Sequence, residues 1–61
     1  MKKILLVANT DWYLYNFRMS LARFLKASGF EVIFVAPSGE YQQKIINEGV
    51  GFIPWQVKRR S

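Results

Sequence analysis

The residues with the most chemical potential lie in one polar stretch that follows an apolar run near the start of the chain. Asp11 is the only acid of this stretch, and a carboxylate at the end of a strand can act as a general base. An aspartate just before a helix more commonly caps the helix or stabilises a turn, and we favour that role for Asp11. We therefore predict no catalytic residue in this chain.

Aromatic residues and an arginine surround Asp11. Trp12, Tyr13 and Tyr15 offer either a platform for a sugar ring or lipid headgroup or rings that close a core, and both interpretations stay open. Arg18 lies in the first turn of a predicted helix, where the macrodipole disfavours a cation. This position favours the interpretation that Arg18 binds an anionic partner, a phosphate or carboxylate. The alternative is that Arg18 is a surface residue whose side chain lies along its own helix.

The composition excludes several kinds of site. The 61 residues include no cysteine and no histidine, which excludes disulfides, the common zinc sites and Cys/His or Ser/His pairs. Residues 9–13 contain no glycine, which excludes a phosphate-cradling loop, so we expect no NAD, FAD or ATP. We predict no cofactor and no metal. The formal charge of +5 suits nucleic acid or anionic lipid, but the scattered basic residues favour solvated termini.

The first strand and helix position this polar stretch. Residues 3–8 are apolar on both faces, as are residues 31–36, which is typical of a parallel sheet covered on both sides. One amphipathic helix is predicted between them, capped by Asp11 or Asn16 and ended by Gly29. Its apolar stripe comprises Leu14, Phe17, Leu21, Phe24 and Leu25.

The second half of the chain repeats this unit. Ser38 is predicted to cap a short helix over residues 40–48, Gly49 ends it, and a third strand covers residues 52–57. Pro54 favours a sheet edge for that strand. The sequence therefore predicts an α/β fold, a βαβαβ half-Rossmann unit with three parallel strands in the order 3-2-1 and two helices.

Two right-handed crossovers in the same direction place both helices on one face of the sheet. The other face and the outer edge of the first strand are then apolar and uncovered, which soluble proteins avoid. We therefore expect residues 1–61 to be the first unit of a larger α/β domain. The apolar run of residues 4–8 is too short for a secretory signal of roughly 7 to 15 apolar residues, so we expect a cytoplasmic protein.

The pattern T-D-x-x-x-x-N-F-R-x-x-L-x-x-x-L-x-x-x-G-x-E-V over residues 10–32 carries a resemblance. It is followed by Ala36-Pro37, a short helix with Tyr41, and Gly49-Val50-x-Phe52-Ile53. Together these segments resemble the N-terminus of family 4 glycosyltransferases, GT-B enzymes of bacterial polysaccharide and lipopolysaccharide assembly. Lys58-Arg59-Arg60 resembles an arginine-bearing segment that follows the third strand in relatives.

The resemblance implies two Rossmann-like domains facing a cleft and glycosyl transfer with retention. Residues 1–61 would open the N-terminal, acceptor-side domain, whereas the C-terminal donor-binding domain, with its E-x7-E motif, has no counterpart here. The implied partners are the rest of the chain, a nucleotide-sugar, a glycan or lipid-linked acceptor, and the inner face of a membrane. The implied acceptor-side residues are Thr10, Asp11, Tyr15, Asn16 and Arg18. The alternative is a small basic interaction module that binds nucleic acid or an acidic partner.

Overall fold

The computed structural model describes residues 2–55 and contains one open sheet of three parallel strands with three helices. The strand order β1-β2-β3 confirms the predicted order 3-2-1, and the architecture is that of a small α/β, Rossmann-like unit. The end of the predicted third strand and Lys58-Arg59-Arg60 lie outside the described residues. In chain order the elements are β1 (Lys3–Val7), α1 (Asp11–Phe17), α2 (Met19–Ala27), β2 (Glu31–Ala36), α3 (Gln42–Asn47) and β3 (Gly51–Pro54).

The first helical segment is interrupted, so the prediction of two helices was wrong. Arg18, with φ −123° and ψ −4°, separates α1 from α2. Leu14 and Met19 are both buried, although residues five apart lie about 140° apart around an uninterrupted helix. The change of backbone direction at Arg18 lets both side chains face the core. Arg18 therefore lies at the end of α1, where the macrodipole favours a cation, and at the start of α2, where the macrodipole disfavours one.

The buried stripe of the helices also differs from the predicted one. Phe17, Leu21 and Phe24 are exposed, whereas Met19 and the fully buried Ala22 face the sheet. The small side chain of Ala22 allows α2 to approach the strands closely. An aromatic and apolar stripe therefore remains on the outside of α1 and α2.

The glycine stops of both helical segments are confirmed. Gly29 and Gly49 have positive φ angles of 97° and 85°, the left-handed conformation that glycine adopts without steric cost. The Phe30 N–H donates to the Leu25 carbonyl at 3.0 Å, which completes a Schellman motif at the end of α2.

The core lies on one face of the sheet, between the even-numbered residues of β2 and all three helices. The other face is uncovered, as predicted: Leu5, Val7 and Ile53 are 53%, 62% and 47% exposed. In the register of the parallel strands, Leu5 pairs with Ile33, and Val7 and Ile53 both pair with Val35. Ile33 and Val35 are half-buried. The buried cluster consists of Leu14, Met19, Ala22, Val32, Phe34, Ala36, Ile45 and Val50. No helix within residues 2–55 has the length and apolar character needed to cross a membrane.

Candidate functional site

An open depression lies at the carboxyl end of β1, where ligands bind in open parallel sheets. Its volume is about 350 Å³. The lining residues are Val7, Ala8, Asn9, Thr10 and Tyr13. The strand supplies its apolar floor, and the turn into α1 supplies its polar wall.

Thr10 shapes the polar wall because it caps α1. Its Oγ1 accepts a hydrogen bond from the Tyr13 N–H at 3.1 Å. The predicted caps, Asp11 and Asn16, were therefore wrong: Asp11 is already the first residue of the helix. The Asn16 side-chain amide is exposed and donates to the Trp12 carbonyl at 2.8 Å.

Asp11 is the only buried polar or charged residue in the described part of the chain, at 8% exposure. Its Oδ1 accepts from the Trp12 N–H at 2.9 Å, and its Oδ2 accepts from the Tyr41 N–H at 2.8 Å. The carboxylate thus joins the start of α1 to the start of α3, where the macrodipole favours a negative charge. It performs the capping role predicted for Ser38, which makes no such bond; the N-cap residue of α3 is Tyr41, whose own side chain makes no capping hydrogen bond.

Gly39 makes room for the Asp11 carboxylate. A Cβ at this position would lie 2.5 Å from both carboxylate oxygens, closer than non-bonded atoms allow. The Pro37-Ser38-Gly39 turn therefore lets the backbone after β2 pass close to the buried charge.

Arg18 contacts Tyr13, one of the residues that line the depression. Its guanidinium donates to the Tyr13 hydroxyl at 2.8 Å and lies 5.1 Å from the centre of the same ring. Phe17 packs against Tyr13 and Trp12, with ring centres 5.2 and 5.5 Å apart. These contacts build an exposed aromatic cluster around one cation.

Tyr15 belongs to a second group on the α3 side. Its ring lies 5.2 Å from that of Tyr41, and the Lys44 ammonium lies 4.9 Å from the Tyr41 ring and 5.8 Å from the Tyr15 ring. A cation over two phenol faces stabilises the packing of α3 on α1.

The five residues predicted for acceptor contact thus fall into two groups, with Asn16 outside both. Thr10 and Arg18 are joined through Tyr13, while Asp11 and Tyr15 are joined through Tyr41. Tyr13, Tyr41 and Lys44 were missed as site residues. Tyr13 was considered only as part of an aromatic platform, and no sequence signal pairs it with Arg18 five residues later.

The chemistry available at this edge is recognition by hydrogen bonds, aromatic stacking and one cation. Both Asp11 oxygens already accept backbone N–H groups, so this carboxylate serves structure. No cluster of three or more His, Cys, Asp or Glu side chains within residues 2–55 is arranged to hold a metal ion.

A second depression, of about 330 Å³, lies at the opposite end of the sheet. Lys26 borders it and donates to the Gly49 carbonyl at 2.8 Å, while Arg23 forms a salt bridge of 3.2 Å with Glu48. The cations there stabilise the carboxyl-terminal end of α3, so this depression belongs to the packing of α2 on α3.

Comparisons with protein-family models, curated proteins and solved structures found no match for this chain.

Proposed function

We propose that this chain is the opening βαβαβ unit of the acceptor-side domain of a GT-B glycosyltransferase similar to family 4. The complete enzyme would transfer a sugar from a nucleotide-sugar to a glycan or lipid-linked acceptor in cell-surface polysaccharide biosynthesis. The sequence pattern over residues 10–32 supports this class. Residues 1–61 carry neither the donor site nor the catalytic residues, so the unit by itself is inactive.

The observation that carries the proposal is the uncovered face of the sheet. Leu5, Val7 and Ile53 expose about half or more of their surface on that face, although their strands have the two-sided apolar pattern of buried parallel strands. A larger domain that packs helices on this face would bury them.

The polar edge supports an acceptor-binding role. Thr10 and Tyr13 line an open depression, Arg18 donates to the Tyr13 hydroxyl, and open parallel sheets bind ligands at this end of their strands. The tyrosine ring suits the apolar face of a sugar, and the guanidinium suits an anionic group of the acceptor.

The outer stripe of α1 and α2 supports contact with the inner face of a membrane. Trp12, Phe17 and Phe24 are exposed there, and the Arg18 guanidinium donates to the Phe17 carbonyl at 3.1 Å. Aromatic residues beside a basic residue favour the headgroup region of an anionic bilayer. The proposed location is therefore the cytoplasm, at the membrane surface.

The first test is the coding sequence that follows the Ser61 codon. We expect it to continue for roughly 300 residues, the length of two ordinary domains, with an E-x7-E motif in its later part. A stop codon directly after Ser61 would contradict the proposal and favour a small basic module.

The second test uses the extended protein and compares two arginines. Arg18→Ala is expected to lower kcat/KM for an octyl glycoside acceptor by about tenfold or more, the loss of one charged hydrogen bond. The matched control is Arg23→Ala, because Arg23 pairs with Glu48 at the other end of the sheet. Equal kinetics for the two variants would remove Arg18 from the acceptor site.

A salt titration with the 61-residue chain separates the alternative module from the enzyme. Binding to single-stranded DNA that weakens steeply with salt, as counterion release requires, would support a nucleic-acid module. We expect no such binding.

A further inference from the structure

The outer edge of β1 offers a complete row of unpaired backbone groups. The Glu31 N–H donates to the Lys2 carbonyl, and the Ala8 N–H donates to the Val35 carbonyl, so the even-numbered residues of β1 face β2. Successive residues of a strand direct their N–H and C=O groups to opposite sides. Lys3, Leu5 and Val7 therefore direct three donors and three acceptors away from the sheet, and no strand within residues 2–55 covers them.

The other edge of the sheet is a much poorer template. The Trp55 N–H donates to the Ala36 carbonyl, so Phe52 and Pro54 face outwards on β3. Proline has no N–H group, which leaves one outward donor on the described part of this strand. Edge prolines block the addition of further strands, and β1 has none.

We propose that two copies of this chain associate through β1, as antiparallel strands around a two-fold axis at Leu5. This register overlaps all five residues of β1 and places Leu5 opposite Leu5, and Lys3 opposite Val7, of the second copy. Six backbone hydrogen bonds form, and every outward group of Lys3, Leu5 and Val7 is used. The result is a continuous six-stranded sheet.

The distribution of charge favours this orientation. Lys2 and Lys3 lie at the amino end of β1, so a parallel pair would bring two basic pairs side by side, and like charges directly opposite destabilise a sheet. In the antiparallel pair the lysines face Val7 and Ala8 of the second copy instead. Closed two-fold symmetry also makes the interface self-complementary and limits assembly to a dimer.

The pairing also changes the depression at the carboxyl end of β1. Val7 and Ala8 line it, and the second copy places Lys3 and Lys2 directly opposite these residues. Side chains alternate between the two faces of a strand, and Lys2 shares the helix side with Ala8, so each depression gains one cation that one copy alone cannot provide.

The first experiment measures mass and uses backbone chemistry. The synthetic 61-residue chain is expected to sediment as a dimer. N-methylation of the Leu5 amide removes an outward donor from each copy without touching the β1–β2 ladder, and should raise the dimer Kd about tenfold or more. N-methylation of Phe52, which faces outwards on β3, is the matched control and should leave the Kd unchanged. A monomer at all concentrations, or equal effects of the two modifications, would overturn the proposal.

The second experiment tests the register by cross-linking, because the chain has no cysteine of its own. Leu5→Cys places two cysteines about 5.5 Å apart between Cα atoms across the axis, a distance that a disulfide spans. We expect rapid formation of a disulfide dimer. Ile53→Cys, on the same uncovered face but on β3, should not cross-link. Equal cross-linking of both variants would show that the sheets stack face to face and would contradict edge pairing.

This proposal does not rest on the proposed function. An extended protein that supplies its own strand to this edge would leave β1 unavailable, while the 61-residue chain would still dimerise. A monomeric 61-residue chain would therefore overturn the dimer alone and leave the glycosyltransferase proposal standing.

Discussion

The two faces of the sheet differ in burial although their sequences are equally apolar. Phe34 and Ala36 on the helix side are fully buried, whereas Val7 on the other side is 62% exposed. Along each strand, residues that face the helices alternate with residues that face the uncovered side. Burial in this fold is thus decided by the direction of the crossovers, which place every helix on one side.

The difference shows where the stability of the unit originates. Burial of apolar surface stabilises the folded state by about 25 cal/mol per Å². Only the apolar residues on the helix side of the sheet include fully buried side chains. In the proposed enzyme, helices from the rest of the domain would pack on the other face.

The largest expected effect comes from Phe34→Ala on the covered face. Removal of a fully buried phenylalanine costs about 3–5 kcal/mol, and a domain of this length has about 3–9 kcal/mol in total. We expect the variant to be largely unfolded by circular dichroism.

The matched control for Phe34→Ala is Ile53→Ala on the uncovered face. Its cost should stay below about 1 kcal/mol in urea unfolding, because the side chain already contacts solvent. Equal losses for the two variants would mean that the uncovered face is buried in solution.

Much of the fold could be predicted because its signals are local. Gly29 and Gly49 need only their own backbone angles to end a helix, and the two-sided apolar strands are typical of a parallel sheet. The interruption at Arg18 could not be predicted in this way. It depends on which of Leu14, Phe17 and Met19 fit against the sheet, and helical spacing alone favours Phe17, three residues after Leu14, over Met19.

The candidate site shows the same division. Its position at the carboxyl end of β1 follows from the strand and the polar turn; Thr10 lines it, and Arg18 contacts it through Tyr13. Their partners do not follow from the sequence. The bond from Asp11 to the Tyr41 N–H joins residues 30 positions apart, and it replaces the local cap expected from Ser38.

The next largest effect is expected from Gly39→Ala in the loop that joins β2 to α3. The new Cβ would displace the Asp11 carboxylate from the Tyr41 N–H, and a buried acceptor left unsatisfied costs about 1–3 kcal/mol. Urea unfolding should show this loss. Ser38→Ala is the control, because Ser38 is exposed; an equal loss there would assign the effect to the turn and not to Asp11.

The smallest effect on stability, and the most direct test of the uncovered face, is expected from Val7→Thr combined with Ile53→Thr. Threonine keeps the β-branched shape that suits strands while it makes the exposed surface polar, so stability should change by less than about 1 kcal/mol. The fluorescence of a bound hydrophobic dye should nevertheless fall clearly, because exposed apolar surface is what such dyes bind. Phe24→Gln on the outer stripe of α2 is the comparison. If the dye signal falls with Phe24→Gln and not with the threonine pair, the dye binds the helices, and the sheet face is covered by some other contact in solution.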